Sequence, residues 1–422
     1  MNKGASGIGA YIAVTAAYWA FMLGDGALRM LVLLHFHGLG FSPVQLAYLF
    51  VLYEVAGILT NLYAGWIGAR FGLAITLYAG LAIQIAALLA LALLDPRWSI
   101  GVSVVYVMAV QGASGVAKDL TKMSAKSAVK LLAPQGDHGL FRYVAALTGS
   151  KNAIKGFGFL VGAALLATLG FQSAVLIMAA TLLAVLVAVT MGMPPGLPAA
   201  RKSAKFAEVF STNAAINRLS LARVFLFGGR DAWFVVGIPV YFYAVLSDGS
   251  PGSDRQAFFL IGGFMALWVI LYGAVQSAAP AILRAKGRTP AQIADLARRW
   301  AAWLVLIPAL LTGAALIAPQ PALWLTVTLV LGLLAFGAVF AINSALHSYL
   351  ILAFSDARRV SMDVGFYYMA NAAGRLLGTV LSGLSYQLGG LAMVLATATG
   401  LIAIAWVASR NLGQNNLRTE VS

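Results

Sequence analysis

The chain has 422 residues, of which 61% are hydrophobic and 10% are charged, with a mean hydropathy of +0.88. This composition excludes an ordinary soluble globular domain and is typical of a protein with many membrane-spanning helices. The absence of cysteine excludes disulfides and cysteine-based metal sites or nucleophiles, and the formal charge of +15 indicates basic cytoplasmic loops rather than nucleic-acid binding.

Twelve apolar runs are long enough to span a bilayer, which takes about 20 helical residues. The first run contains internal charge and is predicted to be a retained helix rather than a cleaved signal peptide. The sequence therefore predicts an all-α polytopic membrane protein with twelve transmembrane helices. The predicted spans lie near 9–37, 43–67, 73–94, 99–120, 139–168, 171–192, 218–246, 256–283, 299–318, 321–350, 361–388 and 390–409.

The lysine and arginine residues indicate how these spans are oriented. If the N-terminus is cytoplasmic, nineteen of the 28 lie in cytoplasmic segments or at their edges, and only Arg97 and Arg255 lie on the opposite side. Basic residues favour the cytoplasmic side of a membrane. Because the number of spans is even, both termini are predicted to be cytoplasmic.

The longest connection, residues 193–217, divides the spans into two sets of six. It begins with several prolines and continues as a basic segment, so we expect a cytoplasmic linker between a domain of residues 1–192 and a domain of residues 218–422 with a short cytoplasmic tail. FMLGDGALRM in the first span resembles FLFGGRDAWF in the seventh, which suggests a half-repeat. Spans three, six, nine and twelve have no charge in their interiors and are expected to face lipid, as in the two-halved major facilitator fold.

Seven basic residues lie inside the apolar spans, where each charge costs about 2.5–3.5 kcal/mol on insertion scales. Few acids lie at similar depth, so the membrane interior carries surplus positive charge, and this suggests a path built for an anion. The seven are Arg29, Arg142, Lys151, Lys155, Arg223, Arg230 and Arg375.

The first two spans contain three of the deep charges. Asp25 and Arg29 lie four residues apart on one helical face. Either they neutralise each other as an ion pair, or Asp25 exchanges a proton while Arg29 binds the substrate. Glu54 has no basic neighbour in the sequence, so it is either a neutral carboxyl that couples transport to protons or the partner of Arg29 or of a lysine in span five.

Span five carries Lys151 and Lys155 on one face and contains no acid. Their mutual repulsion favours an anion bound between them, and pairing with acids of other helices is the alternative. Several glycines in the same span indicate close helix packing. Lys118, next to Asp119 at the inner end of span four, is predicted to line the inner mouth of the path.

In the second half, Arg230 and Asp231 are adjacent, so we expect their side chains to point about 100° apart and not to pair within the helix. Arg375 lies near the middle of span eleven, one turn after Asn371. Because a guanidinium recognises oxyanions through paired hydrogen bonds, Arg230 and Arg375 are predicted substrate ligands, with Tyr367 and Asn371 adding hydrogen bonds. Asp231 is a further candidate for the proton carrier.

Three other polar residues receive structural interpretations. Arg223 is expected to anchor its span, and Asn343 and His347 in span ten are expected to be packing groups that hydrogen-bond locally. The chain contains no Walker loop, no HExxH motif and no nucleotide fingerprint. Neither ATP-driven pumping nor enzymatic chemistry is therefore predicted, and no cofactor or metal is expected.

Five segments together resemble the ArsJ family, the organoarsenical efflux permeases of the major facilitator superfamily. They cover both halves of the chain and contain unusual polar residues: DGALRMLVLLHFHGLGFSP, GASGVAKDLTKMSAKSAVKLL, LTGSKNAIKGFGF, FLFGGRDAWFVVGIPV and FYYMANAAGRLLGTVLSG. The resemblance implies export of 1-arseno-3-phosphoglycerate across a bacterial cytoplasmic membrane. In the scheme of that family, a glyceraldehyde-phosphate dehydrogenase makes this ester from arsenate. The resemblance brings no assignment of binding residues.

The basic residues inside the spans and the resemblance to the ArsJ family both predict an anionic substrate. An arsonate ester and a phosphate at opposite ends match a cavity with Lys151, Lys155 and Arg29 in one half and Arg230 and Arg375 in the other. We therefore expect a monomeric, proton-coupled efflux transporter that works by alternating access, with the anion, protons and the lipid bilayer as its partners. A proton-coupled transporter of another organophosphate or carboxylate is the alternative.

Overall fold

The computed structural model describes residues 3–132, 139–193, 210–211, 213–284, 288–318, 322–355 and 360–412. Every regular element in these ranges is a helix, and the ranges contain no strand, which confirms the predicted all-α class. The predicted tail and most of the predicted linker lie outside the described residues.

Twelve α-helices and a terminal turn of 3-10 helix (Ser409–Asn411) follow one another along the described chain. The α-helices are α1 (Lys3–Gly38), α2 (Pro43–Tyr48), α3 (Val51–Phe71), α4 (Leu73–Ala92), α5 (Ile100–Leu132), α6 (Gly139–Gly192), α7 (Ala214–Phe234), α8 (Gly237–Leu246), α9 (Pro251–Ile282), α10 (Pro290–Ile317), α11 (Leu323–Phe354) and α12 (Val360–Ala408).

Ten segments of the described chain are long and apolar enough to cross a membrane, and two of these are about twice the necessary length. The long segments, Ser150–Gly192 and Asp363–Ala408, have 43 and 46 residues. Each contains a break in helical geometry at glycine, at Gly170 (φ 75°) in one and at Gly390 (φ 58°) in the other. Only glycine adopts such φ values readily. Both breaks lie at predicted boundaries, so the ten segments accommodate the twelve predicted crossings.

Predicted span seven is interrupted in the structure, where α7 ends at Phe234 and α8 begins at Gly237. Pro239 explains the break because it has no amide hydrogen with which to bond the carbonyl of Val235. The Ser382 hydroxyl of α12 accepts hydrogen bonds from the backbone amides of Val236 (3.2 Å) and Gly237 (3.0 Å). These bonds satisfy buried donors that the interrupted helix leaves unpaired. Span two is also divided, into α2 and α3.

The chain packs as two compact units. As far as they are described, Met1–Leu39, Leu52–Ala207 and Gly249–Ile270 form the first unit, and Gly40–Val51, Glu208–Asp248 and Leu271–Ser422 form the second. In the first unit α1 packs chiefly against α6, and in the second α7 packs chiefly against α12. These are predicted spans one and five and spans seven and eleven. The predicted domain boundaries remain a prediction.

Glycines allow close contact between these helices, as the glycine-rich sequence of span five predicts. A Cβ atom added to Gly162 of α6 would lie 2.7 Å from the Cα of Ala27 on α1. One added to Gly374 of α12 would lie 2.9 Å from the Cα of Val224 on α7. Real Cβ atoms essentially never come this close to another heavy atom. The short interhelical distance brings the polar side chains of the paired helices within bonding range.

Replacing Gly162 with alanine should therefore destabilise the protein by about 1–3 kcal/mol, because the new methyl group forces α1 and α6 apart. The measurement is thermal unfolding of the purified protein in detergent. Gly263→Ala is the matched control because a Cβ at this helical glycine meets no atom within 4 Å. The control should be neutral or stabilising by up to about 1 kcal/mol. Equal melting temperatures for the two variants would contradict the packing role.

Candidate functional site

Asp25 on α1 lies at the centre of a buried polar cluster in the first unit. Its carboxylate accepts hydrogen bonds from the Tyr53 hydroxyl of α3 and from the Lys155 ammonium of α6, each at 2.5 Å. Lys155 and Asp25 also form an ion pair that joins α6 to α1. Lys155 therefore pairs with an acid of another helix, which is the alternative that the sequence left open.

Arg29 lies one turn after Asp25 and forms a separate ion pair. Its Nη2 donates to Oε1 of Glu54 on α3 at 2.8 Å, and both residues are buried. The interpretation of Asp25 and Arg29 as an ion pair along α1 is wrong, because Asp25 uses partners on α3 and α6 instead. Likewise, Glu54 is not an isolated carboxyl, since Arg29 neutralises it.

Tyr53 connects these ion pairs, and it was not predicted from the sequence. Its hydroxyl binds Asp25, while the Lys118 ammonium lies 4.0 Å and the Arg29 guanidinium 5.4 Å from the centre of its ring. The face of an aromatic ring attracts cations. Its position directly before Glu54 was the available signal. The structure thus brings five predicted site residues together around one tyrosine, namely Asp25, Arg29, Glu54, Lys118 and Lys155.

Asp119 forms the next charged cluster along α5. Its Oδ1 makes an ion pair with Lys122. Its Oδ2 accepts a hydrogen bond from the Thr60 hydroxyl at 2.9 Å and lies 3.9 Å from Lys118 Nζ. Lys122 also donates to Asn61 Oδ1 at 2.6 Å. This cluster ties α3 to α5 and leaves the acid fully buried.

Lys151 is half-buried on α6, one turn before Lys155. The preceding residue, Ser150, accepts a hydrogen bond from the Trp19 indole at 3.1 Å, which holds this part of α6 against α1. Of the seven basic residues predicted inside the spans, Arg142 has a side chain outside the described part of the structure.

In the second unit, Asp231 binds two arginines. Its Oδ1 accepts from Arg230 Nε at 2.6 Å, and its Oδ2 lies 3.4 Å from Arg375 Nε on α12. The expectation that Arg230 and Asp231 do not pair is wrong, because the arginine side chain is long enough to curve around α7 to its neighbour. Arg230 also lies 4.7 Å from the ring centre of Phe227.

Arg223 is buried two turns before Arg230 on α7, where the sequence suggested only an anchor. Its Nε donates to Asn371 Oδ1 at 3.0 Å, and its Nη1 donates to the Ser344 hydroxyl at 3.1 Å. The predicted ligand Tyr367 is also buried, with its ring centre 5.0 Å from the guanidinium. The spacing of seven residues between Arg223 and Arg230, which puts both on one helical face, was the signal for this site.

The ion pairs of both units share one arrangement. The carboxylate side chains of Asp25, Glu54, Asp119 and Asp231 are 0–4% exposed. Their basic partners are 8–19% exposed, namely Arg29, Lys118, Lys122, Lys155, Arg230 and Arg375. The accessible part of each pair thus belongs to the cation. An ion that approaches these surfaces encounters positive charge first, which favours anions over cations.

Within the described ranges, no group of three or more histidine, aspartate or glutamate side chains is placed to hold a metal ion. Comparisons with known proteins identify the fold. The sequence profile of the Major Facilitator Superfamily matches residues 14–351. A search of curated protein sequences found no significant match.

Solved structures of transporters resemble the whole chain. A POT family transporter in complex with a thioalcohol-conjugated peptide has a TM-score of 0.71 at 13% identity, with 94% of each chain covered. A structure from a study of proton dependent oligopeptide transporters has a TM-score of 0.68 at 15% identity, with 98% of each chain covered. A bacterial homologue of the iron transporter ferroportin has a TM-score of 0.69 at 13% identity, covering 96% of this chain and 98% of that one. At these identities the likeness concerns the fold.

Proposed function

Since the chain belongs to the major facilitator superfamily and is a multi-pass membrane transporter of that type, we propose that it exports an organic oxyanion in a proton-coupled cycle. The observation that carries this proposal is that, in the ion pairs of both units, the cation is more exposed than the buried carboxylate. A site built for a cation or a metal ion would present the carboxylates instead. We propose Arg29, Lys118, Lys151 and Lys155 as anion ligands of the first unit, and Arg230, Arg375, Tyr367 and Asn371 as ligands of the second.

Proton coupling is proposed for Asp25, Glu54 and Asp231. Each of these carboxylates neutralises a basic residue, so protonation of the carboxylate would release that base for an incoming anion. In a low-dielectric interior such a change is large in energy. The shared fold with proton dependent oligopeptide transporters is compatible with this mechanism.

For the substrate itself, we propose 1-arseno-3-phosphoglycerate. The support is the resemblance to ArsJ permeases in five segments, together with the basic residues of each unit, which suit anionic groups. We also propose that the chain lies in a bacterial cytoplasmic membrane with both termini in the cytoplasm. It would act as a monomer and depend functionally on a glyceraldehyde-phosphate dehydrogenase. Another organophosphate or a carboxylate is the second candidate, since the same cations would bind it.

Uptake into everted membrane vesicles tests the proposal. The vesicles receive labelled glyceraldehyde 3-phosphate, the dehydrogenase and its nicotinamide cofactor, with either arsenate or phosphate, and uptake is measured with and without an imposed proton gradient. We expect accumulation of label that depends on arsenate, on the chain and on the gradient. Chain-dependent uptake of label that is equally strong with phosphate in place of arsenate would favour the second candidate. No chain-dependent uptake of any anion would contradict the proposed function.

A further inference from the structure

Arg223 is buried, with 4% of its surface exposed, and none of its contacts in the described part of the chain is with a carboxylate. Its hydrogen-bond partners are the neutral side chains of Asn371 and Ser344 and the Ser344 carbonyl, which lies 3.5 Å from Nη1. Arg230 differs because Asp231 neutralises it. A buried cation without a counter-charge is costly inside an apolar span. An anion bound at Arg223 would remove that cost.

Aromatic rings hold the guanidinium in a fixed orientation. Its carbon lies 4.0 Å from the ring centre of Phe227 and 5.0 Å from that of Tyr367. These contacts stabilise the cation in part and restrict its rotation. Asn371 engages Nε and Ser344 engages Nη1, so the edge of the guanidinium that carries Nη2 is the part left to donate hydrogen bonds to an oxyanion.

Hydrogen-bond donors remain available beside this edge. Nη2 of Arg223 makes no hydrogen bond to any residue that the structure describes, and the same is true of the Asn371 side-chain amide nitrogen. Neither atom is fully enclosed, and Asn371 is half-buried. Because the Asn371 oxygen is fixed by Arg223 Nε, its amide nitrogen is held close to the guanidinium. The Arg223 guanidinium and the Asn371 amide can therefore both donate hydrogen bonds to the oxygens of one oxyanion group.

His347 lies one turn after Ser344 on α11 and is a second polar group that contacts within the protein leave unexplained. Its side chain is 1% exposed, and neither ring nitrogen bonds to a residue in the described ranges. Asn343, one turn earlier on α11, behaves as the sequence predicted, since its amide donates to the Ala297 carbonyl at 2.9 Å. His347 does not hydrogen-bond locally in this way. A buried polar side chain without a protein partner points to a bound ligand or water.

We propose that Arg223, Asn371 and His347 form a binding site for one oxyanion group of the substrate, a phosphate, carboxylate or arsonate, in the second unit. This inference rests on the proposed transport of an organic anion and changes its ligand set. Arg223 becomes the principal cation of the second unit, whereas Arg230 and Arg375 share the charge of Asp231. Ser344, which also accepts hydrogen bonds from Tyr272 (3.4 Å) and Gln276 (3.3 Å), is a positioning residue that holds Nη1.

The test is calorimetric binding of 3-phosphoglycerate and inorganic phosphate to the purified full-length protein. Asn371→Asp is the most informative variant because it changes the side-chain shape very little. It places a carboxylate against Arg223, and this carboxylate would compete with the bound anion for the guanidinium. We expect its affinity for both probes to fall at least about tenfold, the loss expected for a charge-assisted contact. Arg223→Lys should lose a similar factor because it keeps the charge but not the planar donor edge. Asn217→Asp makes the same chemical change at an exposed position of α7 and should bind as the unmodified protein does.

The outcomes separate this inference from the proposed function. Unchanged affinity in both Asn371→Asp and Arg223→Lys, with loss of binding in Lys155→Gln, would overturn the Arg223 site and leave anion transport standing. No binding of either probe to the unmodified protein, together with no anion uptake in vesicles, would overturn both. Melting temperatures of the variants identify any loss of binding that comes from unfolding. If Arg223→Lys does not fold, Asn371→Asp decides the result.

Discussion

Replacing Asp231 with alanine should destabilise the protein by about 3–5 kcal/mol, which is the largest effect that we expect from any single substitution on stability. Asp231 is fully buried and binds Arg230 at 2.5 Å and Arg375 at 3.4 Å. Removing the carboxylate leaves two partly buried guanidinium groups that repel each other. The measurement is thermal unfolding in detergent, compared with the unmodified protein.

A double variant that also removes one of the two cations is the control for Asp231→Ala. In the double variant Asp231→Ala with Arg230→Met, one of the two repelling cations is replaced by an apolar side chain of similar length. This double variant should melt at a higher temperature than Asp231→Ala alone, because residues in one ion-pair network do not contribute independently. An Asp231→Ala protein with the melting temperature of the unmodified chain would contradict the importance of this network.

Replacing Lys155 with glutamine should abolish arsenate resistance in cells that express the chain, and it is the largest effect that we expect on function. Loss of a charge-assisted contact to the anion corresponds to about a 10- to 150-fold loss of affinity. Lys155→Arg keeps the charge and should retain most of the resistance. Lys151→Gln should also lose resistance and Lys151→Arg should keep it. Growth in arsenate at matched membrane expression is the measurement.

A structural role for Lys155 would produce a different pattern, because its partner is the buried Asp25. The double variant Asp25→Asn with Lys155→Gln replaces the ion pair by a neutral hydrogen-bonded pair and should fold. The readout is equilibrium binding of 3-phosphoglycerate, which does not require the proton coupling proposed for Asp25. The double variant should still bind weakly if Lys155 binds the anion, and it should bind as the unmodified protein does if the lysine only neutralises Asp25. Full resistance from both Lys151→Gln and Lys155→Gln would rule out the proposed anion site of the first unit.

The fold could be predicted from the sequence because the hydropathy of a short segment determines whether it spans the membrane, and glycine marks where a helix breaks. The boundaries near Gly170 and Gly390 were predicted correctly even though α6 and α12 run through them with little interruption. The interruption between α7 and α8 was missed, although Pro239 in VVGIPV signals it. The two-unit packing follows from contacts between distant helices and could not be located to the residue.

The residues of the candidate site could be predicted better than their partners. Deep charges are costly, so their presence alone selected Asp25, Glu54 and Arg375. Partner choice depends on distances between helices, and so Asp25 pairs with Lys155, 130 residues away, rather than with Arg29 on its own helical face. Tyr53 and Arg223 were missed for the same reason, since an aromatic ring or an arginine acquires its role here from neighbours on other helices.

One measurement tests the central claim, that accessible cations backed by buried carboxylates make this chain an anion transporter. Purified protein is reconstituted into liposomes loaded with unlabelled 3-phosphoglycerate, a dipeptide or ferrous iron, and exchange of each labelled compound is followed at equal internal and external concentrations. We expect exchange of 3-phosphoglycerate alone, with strong reduction in Lys155→Gln. Exchange of the dipeptide or of iron, without exchange of the anion, would contradict the claim.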